Sequence, residues 1–397
     1  MTEKAKNERL FSLDLLRGLD MMFLTVVAPL LWAIHAVWGL PEGVLFQLTH
    51  PWEGFTAWDI IMPMFIFMCG AAIPFALERR LEQNGGKPNA AYWKHVLLRV
   101  LMLWVLGMLV QGHLASLDAL EVRPYNNTLQ TIAFGYLVCA IAITLKSVKL
   151  NIAIPVICFI VYGALLHCYG DYSMTGNFAE RVEQATLTAL LPAGSQAIHE
   201  VGELGYLPDI TVRGEIHYTW VLTSLMFVFM TYCGYFSTKI LQKARRDGDG
   251  TSAPPQAALK LAIFGAALLA LGWALTFAGV KMVKHIFTVS FTAQAMGWCA
   301  LLLSLLYLIT DVWRFRFGFK LPILFGQFAL TAYLMEEFFK PVTVKFAELL
   351  TPGFPHLLGT AQYQPLIVAL VVVGEIITVL LIRKGLAGRS HHRVEKQ

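Results

Sequence analysis

The sequence predicts an all-α fold, a polytopic integral membrane helical bundle of about ten transmembrane helices with both termini in the cytoplasm (N-in/C-in). Two observations carry this. The 397 residues are 57% hydrophobic and only 14% charged, whereas a soluble domain keeps about a quarter of its residues charged to hold its surface in water. The apolar residues also gather into runs of about twenty, the length a helix needs to cross a hydrocarbon core of about 30 Å. The six cysteines lie in or beside these runs without CxxC spacing. Neither a metal site nor a disulfide framework is therefore expected.

The first run, 11–38, is longer than one upright crossing requires, and Pro29 is the place for it to tilt or bend. No small-residue cleavage site follows it, so it reads as a retained helix rather than a secretory leader. Further runs lie at 58–78, 94–112, 127–145, 150–168, 217–238, 258–279, 287–310, 320–339 and 363–383. With the N-terminus inside, every Lys and Arg falls on the inner side except Arg123, Arg181, Arg213, Lys281, Lys284, Lys340 and Lys345. Such a basic excess is the orientation signal of membrane insertion. The net charge of +5 thus reflects topology, and no nucleic-acid partner is expected. Two connections are long: an outer loop at 169–216, and a cytoplasmic linker at 243–257, KARRDGDGTSAPPQA. No internal repeat is visible, and residues 1–397 read as a single transmembrane domain.

Polar groups inside a bilayer are costly and each needs an explanation. Asp14, Arg17 and Asp20 follow one another at i, i+3 and i+6 at the inner end of the first run, so Arg17 can reach either carboxylate. Arg99 sits at a matching depth in the third run. Together Arg17, Arg99 and Asp14 form a candidate site for an anionic cofactor such as the phosphates of coenzyme A, the bland alternative being snorkelling side chains and a structural ion pair. At the outer surface, Leu48-Thr49-His50-Pro51-Trp52-Glu53-Gly54-Phe55-Thr56-Ala57-Trp58-Asp59 brings an imidazole and two carboxylates to one loop. His50 can act as base or nucleophile near neutral pH, with Asp59 or Glu53 orienting it. A solvated loop histidine among interfacial tryptophans is the plainer alternative. Gln130, near the outer end of the fourth run, can face His50 and bind substrate; His285, Gln294 and Glu375 are weaker candidates.

Ser12-Leu13-Asp14-Leu15-Leu16-Arg17-Gly18, the His50–Asp59 loop, Leu129-Gln130-Thr131-Ile132-Ala133-Phe134-Gly135-Tyr136, His285-Ile286-Phe287-Thr288-Val289-Ser290-Phe291 with Gly297-Trp298, and Leu330-Thr331-Ala332-Tyr333 occur in that order. In this the chain resembles the heparan-α-glucosaminide N-acetyltransferase family of transmembrane acyltransferases, and its bacterial members in particular. The resemblance implies transfer of an acetyl group from cytoplasmic acetyl-CoA to an amino sugar or glycan acceptor across the membrane. It implies His50 as the catalytic residue, with Asp59 and Glu53 beside it and Trp52, Gln130 and Asn127 toward the acceptor. A bacterial inner membrane is the expected location, with the active-site loop extracytoplasmic; membrane lipids and a homodimer are the other expected partners. The chain departs from the family pattern at Thr131, where Arg is common, at Phe328, where Asn is common, and at Ala28, where the family's lysosomal enzyme has Asn. The rival class is a transporter or flippase of a sugar or lipid-linked sugar without group transfer. A structural or sensory membrane protein would leave the His50 and Arg17/Arg99 groups without a shared purpose.

Overall fold

The computed structural model describes residues 10–195, 218–247, 253–334, 338, 340–353, 367–374, 376–378, 380 and 381. Every regular element among them is helical. Helix α1 runs Phe11–Met22, passes through a π turn at Phe23–Val27, and continues as Ala28–Trp38. Helix α2 enters on a 3-10 turn, Trp58–Ile60, runs Ile61–Ile73, and passes through the π turn Pro74–Glu78 into Arg79–Gln83. There follow α3 (Ala90–Val110), α4 (Thr128–Thr144), α5 (Val148–Tyr169), α6 (Phe178–Leu190), α7 (Ser224–Asp247), α8 (Pro255–Phe277) and α9 (Val289–Tyr307). Beyond them lie α10 (Lys320–Gln327), α11 (Ala329–Leu334) and α12 (Lys340–Leu350).

Among the described residues, six helical stretches are long and apolar enough to cross a membrane: Phe11–His35, Trp58–Gln83, Ala90–Val110, Val148–Tyr169, Pro255–Phe277 and Val289–Val312. This is the make-up of an integral membrane protein. Helix α4 is apolar but shorter. The run at 320–339 is not one helix: it breaks at Phe328, one residue after α10 ends and two after Gly326, a residue costing about 1 kcal/mol against Ala in a helix. Both α1 and α2 carry proline near their π turn: Pro74 opens that of α2, and Pro29 lies two residues past that of α1. Proline removes an N–H and its ring crowds the carbonyl four residues back, and a π turn relieves that crowding. Of the expected linker at 243–257, Lys243–Asp247 continue α7 and Pro255 opens α8, with 248–252 outside the described residues; proline suits a first helical turn, where its missing N–H costs nothing. Within the expected outer loop, α6 is a helix of its own, capped by Asn177, whose side chain accepts from the Glu180 N–H at 2.8 Å. Glu336, Glu337 and Glu375 lie outside the described residues.

The contacts divide the chain into two compact units, His50–Leu308 and Leu10–Thr49 with the described residues from Ile309 onward. In the first, α7 is the hub and packs against α2, α4, α5, α8 and α9. Lipid tails are as apolar as Leu, so membrane helices adhere by close packing and small residues rather than by hydrophobic expulsion. A Cβ on Gly70 of α2 would stand 1.8 Å from the Thr231 carbonyl oxygen, and one on Gly234 of α7 would stand 1.8 Å from that of Phe67. The backbones approach so closely that the Thr238 hydroxyl donates across the seam to the Ala71 carbonyl at 2.7 Å. In the second unit α1 packs on α10 by the same device: a Cβ on Gly18 would meet the Pro322 carbonyl oxygen at 1.6 Å, and one on Gly326 that of Asp14 at 2.1 Å. Asp311 caps α1, accepting from the N–H groups of Phe11 at 3.3 Å and Ser12 at 3.0 Å, an anion where the helix dipole is positive.

Gly70→Val and Gly234→Val are each expected to destabilise the first unit by about 1–3 kcal/mol or more through overpacking. The double variant should lose less than the sum, because the two residues share one seam. Melting temperatures in detergent check this, and wild-type values in both single variants would contradict the packing described.

Candidate active site

The loop from His50 to Asp59 folds as it does because its last residue is a buried carboxylate. Asp59 has no exposed side-chain surface, and it stands in the 3-10 turn that opens α2. Its Oδ2 accepts from the Thr56 N–H and the Thr56 hydroxyl, both at 2.9 Å. Its Oδ1 lies 2.6 Å from His50 Nδ1, so the Nδ1–H tautomer donates to Asp59 and leaves Nε2 as the acceptor nitrogen. Gly54, at φ 129° where a side chain would be strained, donates its N–H to the Met282 carbonyl at 2.9 Å. That bond ties the loop to the segment 280–288.

This segment delivers a group with no counterpart in the sequence reading. The Phe287 N–H closes a turn onto the Lys284 carbonyl at 2.9 Å, with Phe287 itself in the left-handed region at φ 43°. Thr288 Oγ1 accepts from the Val283 N–H at 3.0 Å. The turn directs Lys284, whose side chain is only 5% exposed, to 3.5 Å from Asp59 Oδ1 and 3.1 Å from either ring nitrogen of His50. An imidazole, a carboxylate and an ammonium thus share one site. Burial pulls the Lys284 ammonium down to about 8, against the opposing pull of Asp59. Burial also lowers His50; the hydrogen bond to Asp59 works against this, and the Lys284 charge reinforces it. At neutral pH His50 is therefore a neutral imidazole, competent as a base.

Aromatic groups wall the site. Trp52 stacks on His285 with centroids 5.1 Å apart and planes at 9°, and its indole N–H donates to the Tyr172 carbonyl at 2.9 Å. Tyr218 lies 4.8 Å from His285 on the ring centroids, and Trp58 lies 6.1 Å from His50. Burial and the neighbouring Lys284 and His50 push His285 down to about 3, so it stays neutral; its Nδ1 has no partner among the described residues. Glu183 of α6 accepts from the N–H groups of Trp220 at 3.1 Å and Val221 at 2.7 Å, fixing the segment that carries Tyr218. Burial raises this carboxyl to about 7, against the two hydrogen bonds.

The structure brings together His50, Asp59 and Trp52 and separates the other candidates. Glu53 is an exposed partner of Lys281 at 2.9 Å, so Asp59 is the carboxylate that orients His50. Asn127 and Gln130 form a capping box at the start of α4. Gln130 Oε1 accepts from the N–H groups of Asn126 and Asn127, and its amide N–H donates to the Pro124 carbonyl at 2.6 Å. Gly107 leaves room for this side chain, since a Cβ there would meet Gln130 Cγ at 2.8 Å. The Gln130 amide is thereby engaged in the fold. In the second unit Arg17 pairs with Asp14 at 3.6 Å. Asp20 is buried with its Oδ2 unpartnered among the described residues and takes no share in an ion pair with Arg17. In the first unit the Arg99 guanidinium lies over the Tyr136 ring at 4.7 Å. Gln294 is buried, with its Oε1 unpartnered among the described residues.

Lys284 escaped the sequence reading because a lysine before an apolar run reads as an interfacial anchor. The only available hint was its adjacency to His285. Among known proteins, no family model matches the chain and no curated protein sequence is similar to it.

Carbethoxylation of His50, followed against pH by peptide mass spectrometry, is expected to titrate below the usual 6.5. Lys284→Met removes a lowering charge and should move the midpoint up, and Asp59→Asn removes a raising hydrogen bond and should move it down. Midpoints that stay put in both variants would mean that the three groups do not meet.

Proposed function

We propose that the protein is a transmembrane acyltransferase. It moves an acetyl group from acetyl-CoA, on the cytoplasmic side of a bacterial inner membrane, to an amine or hydroxyl of an extracytoplasmic sugar or glycan. The observation that carries this reading is the pairing of His50 with the buried Asp59 at the mouth of an apolar helix. A buried carboxylate that fixes the tautomer of a partly exposed imidazole is the arrangement of a general base or nucleophile. A solute pathway has less need of it.

The length of α2 supports a reaction that joins two faces. From Asp59 to Arg80 is about 30 Å at the helical rise of about 1.5 Å per residue, close to the thickness of a hydrocarbon core. The His50 site and the basic end of α2 (Arg79, Arg80, then Lys87 and Lys94) thus belong to opposite sides. In this reading the basic end is cytoplasmic, N-in/C-in, as in the ten-span topology. Arg99 has no carboxylate partner among the described residues and leaves its N–H groups for an anion. In this reading it is assigned to the coenzyme A phosphates. Trp52, stacked on His285 beside the base, offers a flat apolar face to a sugar ring. Asp59 holds His50 with Nε2 free of the carboxylate, and Nε2 takes either the acceptor's proton or the acetyl group itself.

Purified protein in liposomes, given labelled acetyl-CoA and amino sugars including glucosamine, is expected to transfer the label. His50→Ala should lose about 10²–10⁴-fold, Asp59→Asn should lose most of the activity, and Glu53→Gln should stay within a few-fold of wild type. Acceptor flux that needs no acetyl-CoA and survives His50→Ala would replace this reading with the transporter.

A further inference from the structure

We infer that Lys284 is a catalytic residue that makes the transfer direct, from thioester to acceptor, with His50 as base and no acetyl group carried on its ring. The inference rests on the acyltransferase reading and selects between its two routes. Lys284 Nζ stands 3.1 Å from both Nδ1 and Nε2 of His50, while Nδ1 faces Asp59 at 2.6 Å. An acetyl carbon bonded to a ring nitrogen lies about 1.4 Å beyond it, so it would come within about 4.5 Å of that amine, a small side-chain rotation from the near-attack separation of about 3–3.5 Å. Acetylimidazole is an activated acyl donor and lysine amide a stable product. An acetyl group resting on His50 would therefore end on Lys284 and stop the enzyme.

The lowering of Lys284 to about 8 leaves roughly a tenth of it as free amine at pH 7, enough for capture on the time scale of turnover. Among the described residues the remaining ammonium is the nearest positive charge to the reacting centre: Glu53 holds Lys281 at 2.9 Å, and His285 is neutral. Gln130, the side-chain amide expected to face His50, is engaged in its cap. In the direct route the Lys284 ammonium swings from His50 Nε2 to the thioester oxygen, and the acceptor N–H or O–H gives its proton to Nε2 as the new C–N or C–O bond forms. The carbonyl electron pair moves onto oxygen, where the Lys284 ammonium balances it. As the C–S bond breaks, the imidazolium returns the proton to the departing thiolate.

The test uses the full chain in liposomes. Initial rates with both substrates varied should give intersecting double-reciprocal lines. Rapid-quench mass spectrometry after acetyl-CoA without acceptor should show neither His50 nor Lys284 acetylated. Lys284→Met should lose about 10²-fold or more in kcat with little change in KM for acetyl-CoA, and Lys284→Arg should recover part of that loss. Lys284→Met should also show no acetyl on His50, although nothing is left there to capture it. Parallel lines in an active enzyme, an acetyl adduct on His50 in Lys284→Met, acetylated Lys284 in wild type, or wild-type kcat in Lys284→Met would each overturn the inference while leaving the acyltransferase standing. No transfer by wild type to any acceptor would overturn both.

Discussion

A carboxylate with no exposed surface at the entrance of an apolar helix is the constraint around which the site is organised. Taking an ion out of water costs several kcal/mol, and the fold must answer that cost with hydrogen bonds and opposite charge at close range. Asp59 receives two bonds from Thr56, one from His50, and the Lys284 charge at 3.5 Å. Each partner in turn fixes a segment. Thr56 shapes the 3-10 entry, His50 sets the loop before it, and Lys284 requires the turn at 284–287. The Gly54–Met282 bond then follows from bringing those two segments side by side. The chemistry and the local fold have one cause.

That cause works only if α2 is held in place, and in lipid the hydrophobic effect does not do this. Gly70 and Gly234 let α2 and α7 touch backbone to backbone, so many weak dispersion contacts are made at their best distance. Helix α7 follows the segment in which Thr219 donates to the His285 carbonyl at 3.1 Å and Tyr218 packs on the His285 ring. The seam that fixes α2 therefore also sets the aromatic wall. The second unit repeats the packing principle at Gly18 and Gly326.

The site is charge-balanced and sensitive for that reason. One anion, one cation and one neutral base within 3.5 Å tune one another, because a buried charge is poorly screened. Lys284 depresses His50 and Asp59 lifts it, and the outcome is an unprotonated base at neutral pH beside a cation. An isolated loop histidine has neither property. The two groups also compete for space, since the ammonium meets both ring nitrogens, and this proximity argues against His50 as an acyl carrier.

Composition and the spacing of apolar runs determined the all-helical membrane class, because a helix must satisfy its backbone internally and match a fixed thickness. They also singled out the His50–Asp59 loop, since both groups lie within ten residues of one another. Where the local chain decides, the outcome lies in the spacing: Pro29 lies just past a π turn in a long helix, and Asn127 with Gln130, expected toward the substrate, has the spacing of the capping box it forms. What only the tertiary structure decided is which polar groups meet. Arg17 chose Asp14 and left Asp20 alone, Glu53 took Lys281, and Gln130 turned inward to its own helix start. Lys284 arrived at His50 from 234 positions away. Periodicity reports which face of a helix is apolar. It carries no information on which loop another helix end will touch, since that depends on backbone approaches set by glycine contacts and on buried charge that must find a partner wherever the chain supplies one.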